Sequence, residues 1–302
     1  MSQMADLGNV AIRLRAHVHA LTETIGVRSV QTPANLAAAG AYIRREFEQL
    51  GDSVELQTYR ADGLDVSNII VERKGAGRPD SVLVVGAHYD TVWCTPGADD
   101  NASAVAVMIE TARLLKSDGL RDTVRFVAFT CEEPPHFFTD TMGSRVYAKR
   151  CRSRNENLTG MLCLEMVGYF SDEPGSQNVP AAFTLLTGRE APKQGNFLAA
   201  AGNLNSQDLA SGFEQGFARF SELPLISFCL PGSVPEIQLS DNSSFWDQGY
   251  PALMITDTSF LRNPNYHEPT DRIETLDFDR MAQVACGCAG AVRQLCGGLP
   301  NG

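Results

Sequence analysis

Five side chains spread along this sequence are of types that bind metal ions: His88, Asp100, Glu133, Glu165 and His267. Two imidazoles and three carboxylates form a hard-to-borderline donor set, suited to Zn²⁺ and compatible with Mn²⁺ or Co²⁺. Five donors fill two tetrahedral ions only if one carboxylate is shared and a water or hydroxide is shared as well. Asp100 is that shared donor if the acidic loop GADDNAS lies between the ions. Two more carboxylates flank the set. Asp90, two residues past His88, is placed to accept the other ring N–H of His88 and fix its tautomer. Glu132 neighbours Glu133, but adjacent side chains in an extended stretch diverge, so both are not expected on one ion. Glu132 is then either an exposed acid at a strand end or a base that takes a proton from an activated water and returns it to a leaving amine.

These residues meet only if the elements carrying them end on one edge. The β-branched run at 82–85 reads as a buried strand whose carboxyl end delivers His88 and Asp90, and ligands of open parallel sheets bind at that end. Asp99–Ser103 reads as the start of a helix over 101–116, striped by Val105, Met108, Ile109, Ala112 and Leu115. Strands at 123–130 and 160–167 bring Glu132, Glu133 and Glu165 to the same edge if βαβ logic holds. A strand at 251–256 leads into the loop carrying Tyr266, His267 and Asp271. Pro134 and Pro135 break the chain after the glutamates, so PPHFFTDTM is expected as a loop over the site, before a helix at 144–149. His136, Phe137 and Phe138 either pack that loop or wall a substrate side chain, with His136 touching substrate and not metal. Phe245, Trp246 and Tyr250 either line the same pocket or serve the core.

The remaining pattern completes an α/β alternation. Helices are expected at 8–24, 35–50, 208–219 and 278–295, the last ended by Gly297, Gly298 and Pro300, and a helix start at 195–201. Strands are expected at 53–59 and 67–72, joined by a turn at Asp62 and Gly63, and again at 180–186 and 225–230. His17 and His19 fall on the first helix, two residues apart and pointing in different directions, which suits packing or surface duty better than ligation. With no repeat and no composition break, the pattern implies one α/β domain over residues 1–302: a mostly parallel, mixed, twisted sheet flanked by helices.

Composition excludes several classes. The formal charge of −11 and the lack of any Lys/Arg tract argue against a nucleic-acid partner. No apolar run approaches membrane-spanning length, and the first residues lack a basic segment followed by an apolar core. Eight cysteines without Cys-x-x-Cys spacing read as reduced, mostly buried thiols. The expectation is a soluble cytoplasmic protein.

The stretches VVGAHYDTV, GADDNASAVA, AFTCEE, GSRVYA, LEMVGY, FWDQGYPALMITDT and NYHEPTDRIETLD, in this order, closely resemble the co-catalytic di-zinc exopeptidases. That family includes bacterial aminopeptidases, glutamate carboxypeptidase and glutaminyl cyclase. The resemblance implies a metallopeptidase core over about 28–297 and two Zn²⁺ per chain. One would be held by His88 and Glu165, the other by Glu133 and His267, with Asp100 bridging through a cis peptide bond to Asn101. It further implies Glu132 as general base, Asp90 as partner of His88 and Tyr266 as support for the oxyanion. The implied activity is removal of N-terminal residues from small peptides with a free N-terminus. Carboxypeptidase action would need Arg262 or Arg272 to clamp a carboxylate. Glutaminyl cyclases usually carry Trp where this chain has Tyr266, and an inactive peptide-binding module would not retain the full donor set. Two departures stand out: Glu165 where many aminopeptidases have Asp, and the expanded segment CEEPPHFFTDTMGS.

Overall fold

The chain starts its sheet with a hairpin. β1 (Val54–Ala61) and β2 (Leu64–Arg73) run antiparallel, with Ala61 paired to Leu64 across Asp62 and Gly63. Both turn residues have positive φ, 48° and 76°, which a two-residue turn of this hand requires and which Asp-Gly tolerates. β3 (Arg78–His88), β4 (Asp122–Phe129) and β5 (Asn157–Glu165) follow, with β3 between and parallel to the other two. β6 (Leu198–Asn203), β7 (Leu225–Leu230) and β8 (Ala252–Thr256) complete one eight-stranded sheet in the order β1-β2-β4-β3-β5-β8-β6-β7. β8 is parallel to β5 and antiparallel to β6. The computed structural model describes residues 6–297, so the expected helix stop at Gly298 and Pro300 lies outside the described residues.

Alternation along the strands assigns two faces. Leu83, Val85 and Ala87 of β3 join the larger core with α1 (Leu7–His19), α2 (Pro33–Gln49), α3 (Ala104–Leu114), α6 (Gln207–Phe217) and α8 (Phe278–Leu295). Val82 and Val84 join Phe129 and Met161 on the other face, beneath α4 (Gly143–Ser153) and α7 (Asn242–Trp246). The α2 stripe of Leu36, Ala39, Ile43 and Phe47 is buried as its spacing predicts. α6 and α8 approach so closely that a Cβ on Gly216 would lie 2.6 Å from the Gly290 carbonyl oxygen, which explains the small-residue face of α8. His17 packs inside, its Nδ1 2.7 Å from the Tyr42 hydroxyl and its Nε2 3.4 Å from Glu110.

Two segments take the opposite state to their expectation. Residues 180–186, expected as a strand, form helix α5 (Ala181–Thr187), started by Pro180 and closed by Gly188 at φ 66°. That Pro-start, Gly-stop punctuation outweighs the apolar run between. Residues 195–201, expected to begin a helix, enter β6, whose alanines lie between β7 and β8. Alanine favours helix by local propensity, and the backbone partners offered by two neighbouring strands override it. The helix expected from residue 101 also begins later. Asp100 (φ −101°, ψ 88°) and Asn101 (φ −134°, ψ 34°) leave helical values inside a π-type turn, Ala98–Ser103, and regular α3 starts at Ala104.

Candidate metal centre

The parallel strands β3, β4, β5 and β8 all point their carboxyl ends to one edge, and the five sequence-predicted donors meet there. Asp100 sits at the middle. Its Oδ1 is 3.3 Å from His88 Nε2, and its Oδ2 is 3.2 Å from His267 Nε2. Glu165 Oε2 approaches the same His88 nitrogen at 3.3 Å, and Glu133 Oε2 approaches His267 Nε2 at 3.5 Å. Two groups result, His88–Asp100–Glu165 and Asp100–Glu133–His267, each with its donor atoms within 4.8 Å of one another. The Asp100–Asn101 peptide is cis.

The chemistry of the donors fits a pair of divalent ions. Two ligands on one tetrahedral zinc lie about 3.3 Å apart, given bonds near 2 Å, which is the spacing found between these nitrogens and oxygens. Asp100 Oδ1 and Glu133 Oε1 are buried without a hydrogen-bond partner among the described residues. Such orphaned acceptors are costly unless something else binds them. Burial pushes Glu132 well above the usual carboxylate range and Glu133 up to about 7, with neighbouring carboxylates adding to both. Burial pulls on His267 the other way, but Asp100 and Glu133 outweigh it and hold the ring up at about 10. The crowded acids thus gather whatever positive charge is near, and divalent cations would relieve the crowding. The structure therefore holds two candidate metal-binding groups that share Asp100.

Other side chains set the donors in place, and most were not legible beforehand. Asp90 spends its carboxylate on main-chain amides: Oδ1 accepts from Glu132 N at 3.1 Å and Oδ2 from Glu133 N at 3.0 Å. The group within hydrogen-bond reach of His88 Nδ1 is the Asp90 main-chain oxygen, at 3.2 Å, whereas Asp90 Oδ1 stands 3.6 Å away. Asp271 repeats the device on the other loop, accepting from Asp99 N at 2.9 Å and Asp100 N at 3.0 Å. Those two amides precede regular α3 and have no partner in its ladder, so Asp271 satisfies donors the helix leaves free. Asn101 clasps the end of β5 by donating to Leu164 O and accepting from Met166 N. Ser240 donates to Glu165 Oε2 at 2.6 Å. Asp99 and Asn101 lie inside the quoted GADDNAS motif, so their polarity was visible; their partners, tens of residues away, were not. Cys131, Met166 and His267 all have positive φ, 56°, 47° and 60°, so three strained backbone positions border this one site.

Arg28 is the least expected member. Its guanidinium is fully buried and donates to five main-chain oxygens: Leu21, Gly26, Tyr89, Pro96 and Gly97. It therefore ties the first helical segment to the loop between His88 and Asp100. Burial lowers its pKa to about 10 against the pull of Asp271, Asp90 and Asp100. Replacing Arg28 with methionine is expected to cost about 3–5 kcal/mol of stability, because five main-chain acceptors lose their donor and the acids lose a cation. Urea unfolding measures this, and a midpoint shift no larger than that of an exposed-site variant would show that the loop stands without it.

The expected aromatic wall is placed elsewhere. His136 is buried, with Nδ1 2.7 Å from Thr141 Oγ1 and Nε2 3.4 Å from Asp62 Oδ2, so it faces the β1–β2 turn. Phe137 and Phe138 pack on each other at 4.1 Å between centroids, and Arg145 lies over Phe138. Trp246 donates from Nε1 to Ala252 O and packs between two core clusters, while Phe245 meets Phe129 edge to face and Tyr147 at a tilt. None of these borders the cleft that opens beside the donors. That cleft, with a cavity volume of about 120 Å³, begins at Glu165 and Tyr266 and is walled by Phe183, Phe197, Phe228 and Phe260. Among the described residues no Lys, Arg or His lines it. Tyr266 stacks on the His267 ring at 3.7 Å between centroids. Of the two arginines a carboxylate clamp would need, Arg262 bonds Gln177 and Tyr169 O and lies over Phe170 and Phe197, with Nη2 buried and without a partner among the described residues, and Arg272 is exposed.

Comparison with known proteins agrees with this geometry. An Escherichia coli K12 protein, the "uncharacterized protein YfbL", is 37% identical over 284 residues, covering 91% of this chain and 85% of its own length. Leucine aminopeptidase 1 of Uncinocarpus reesii is 27% identical over 237 residues, 72% of this chain and 52% of that protein, so the chain spans about half of it. The structure of BSAP, a zinc aminopeptidase from Bacillus subtilis, superposes with a TM-score of 0.71 at 18% identity, covering 94% of each chain. At that identity the likeness is one of fold, and solved glutaminyl cyclases share it. The sequence profile described as peptidase family M28 matches residues 68–292, which contain all five donors and Glu132. With that match over most of its length, the chain belongs to peptidase family M28.

Proposed function

We propose that this protein is a di-zinc aminopeptidase that removes residues from peptides with a free N-terminus. The observation that carries the reading is Asp100, whose two oxygens approach two different histidines while Glu132 stays outside both donor groups, 3.9 Å from His88 Nε2. His88 and Glu165 would hold one ion, Glu133 and His267 the other, and Asp100 both. Zinc in such a pair supplies a Lewis acid for the scissile carbonyl and acidity for a water, and Mn²⁺ or Co²⁺ suits the same donors.

The chain's own groups then divide the work. Glu132 accepts the proton of the attacking water and delivers it to the departing nitrogen, a role favoured by the burial that raises its proton affinity. Asp90 aims Glu132 and Glu133 by holding their amides. Tyr266 keeps its proton, since burial pushes its pKa up, and so has an O–H to offer an oxyanion. The anionic site attracts an α-ammonium, and among the described residues no cationic side chain lines the cleft to favour a terminal carboxylate. Eight free thiols suit a reducing compartment such as the cytosol, and one catalytic unit spans about 28–297. Among the described residues no helix is long and apolar enough to cross a membrane.

Direction is tested by mass spectrometry of one peptide in free, N-acetylated and C-amidated forms. The expected result is stepwise loss from the amino end of the free and amidated peptides, with the acetylated one intact. Trimming of the acetylated form alone with the free one would mark a carboxypeptidase, and loss of ammonia from an N-terminal glutamine would mark a cyclase.

A further inference from the structure

The cleft has a direction that strand register makes measurable. Glu165 pairs with Thr256, Thr256 with Ala199, and Ala199 with Ile226, so these four residues form one row across β5, β8, β6 and β7. All four border the cleft. Three inter-strand spacings make this row about 14 Å long, about the span of four residues of extended chain. A second row, Met254–Ala201–Phe228, runs beside it on the same face. On the middle strand both rows narrow to alanine, which leaves a shallow trough between larger neighbours. Phe183 and Phe228 meet edge to face at 5.2 Å at the β7 side, and Ile237, Leu239 and Phe260 add to the apolar lining.

No encoded side chain spans that distance from a scissile bond at Glu165. A run of peptide would span it, but its amides would find few partners. Of the two carboxamides on the wall, Gln177 already bonds Arg262, Thr258 and Asn178 O, and Asn178 is exposed to water. Burying amides without partners is costly, whereas methylenes gain from every step. A terminal carboxylate is disfavoured too, because Glu236 and Glu165 are the charged residues on the wall.

We propose that the cleft is a channel for a long unbranched alkyl chain, so that the preferred substrates carry such a chain on the α-carbon of their N-terminal residue. This rests on the aminopeptidase reading and names the substrate class of that same site. Chain length, not aromaticity, is then the specificity variable, and Ala199 and Ala201 are the residues that permit it.

The test uses the metal-loaded protein with α-aminobutyryl, leucyl, α-aminooctanoyl and α-aminododecanoyl p-nitroanilides below their micellar concentrations. Each buried methylene is expected to raise kcat/KM about fourfold at most, so octanoyl should exceed butyryl by on the order of 100-fold, and dodecanoyl should not fall back. Ala199→Phe should flatten the slope beyond leucyl, and Ile226→Trp should stop it at longer chains. Calorimetry of free α-aminododecanoic acid against leucine reads the channel without turnover and should show a similar preference. Cleavage of leucyl-anilide with no gain for longer chains would overturn the channel and leave the aminopeptidase standing. Tight binding of the long amino acid with no anilide cleaved would uphold the channel and sink the aminopeptidase.

Discussion

Replacing Glu132 with alanine is expected to leave two metal ions bound per chain and to slow aminoacyl-anilide hydrolysis by roughly 10²–10⁴-fold, the usual worth of a positioned acid–base group. The separation of effects follows from the geometry. Glu132 belongs to neither donor group, and its Oε2 stands 3.9 Å from His88 Nε2. What Asp90 holds is the Glu132 amide, not its carboxylate, so truncating the side chain leaves the clamp on Glu133 intact. The variant should therefore fold, load metal and bind substrate, with the loss confined to kcat. Elemental analysis beside steady-state kinetics checks it. Unchanged turnover would remove Glu132 as the base, and loss of an ion would make it a ligand.

Changing Asp100 to alanine is expected to drop metal content well below two per chain and to abolish turnover. One carboxylate serves both groups, so its removal leaves each donor group with one histidine and one carboxylate, His88 with Glu165 and His267 with Glu133. Two incomplete sets, still buried and still anionic, bind a divalent ion far more weakly than two closed ones. The neighbouring scaffold does not depend on the lost oxygens, because Asp271 grips the Asp99 and Asp100 amides. Circular dichroism should show a folded chain while elemental analysis shows depletion. Retention of both ions at full stoichiometry would mean that Asp100 is not the bridge.

Between these two variants lies a third consequence. Asp271 and Asp90 each hold two successive amides of a ligand-bearing loop, so substituting either should weaken metal binding less than Asp100→Ala does. Both act on the angle of the loop and not on the ion. Their pairing ties residues far apart in the chain, 172 positions for Asp99 with Asp271.

The donors themselves were legible because the signal that places them is local. An apolar, β-branched run long enough for one strand predicts where His88 emerges, and the same reasoning works for Glu133 and Glu165. Helix α8 and the Asp-Gly hairpin were equally plain, since punctuation and periodicity agree there. Segments 180–186 and 195–201 were not, because their apolar residues satisfy both periods and only the neighbours decide: β7 and β8 claim the alanines of β6, while α5 has no strand to join.

What the amino-acid order alone determined is which chemistry this protein can do: two imidazoles and a set of carboxylates, each at the end of a locally encoded element. Tertiary structure decided how they are held and what they face. The clamps by Asp90 and Asp271, the bonds from Arg28 to the carbonyls of Tyr89, Pro96 and Gly97, and the row from Glu165 to Ile226 are contacts between elements distant in sequence. Their partners are chosen by sheet order and register, which depend on the whole chain packing at once. Residue type and period report what a segment can do on its own; a hydrogen bond across the fold leaves no trace in either.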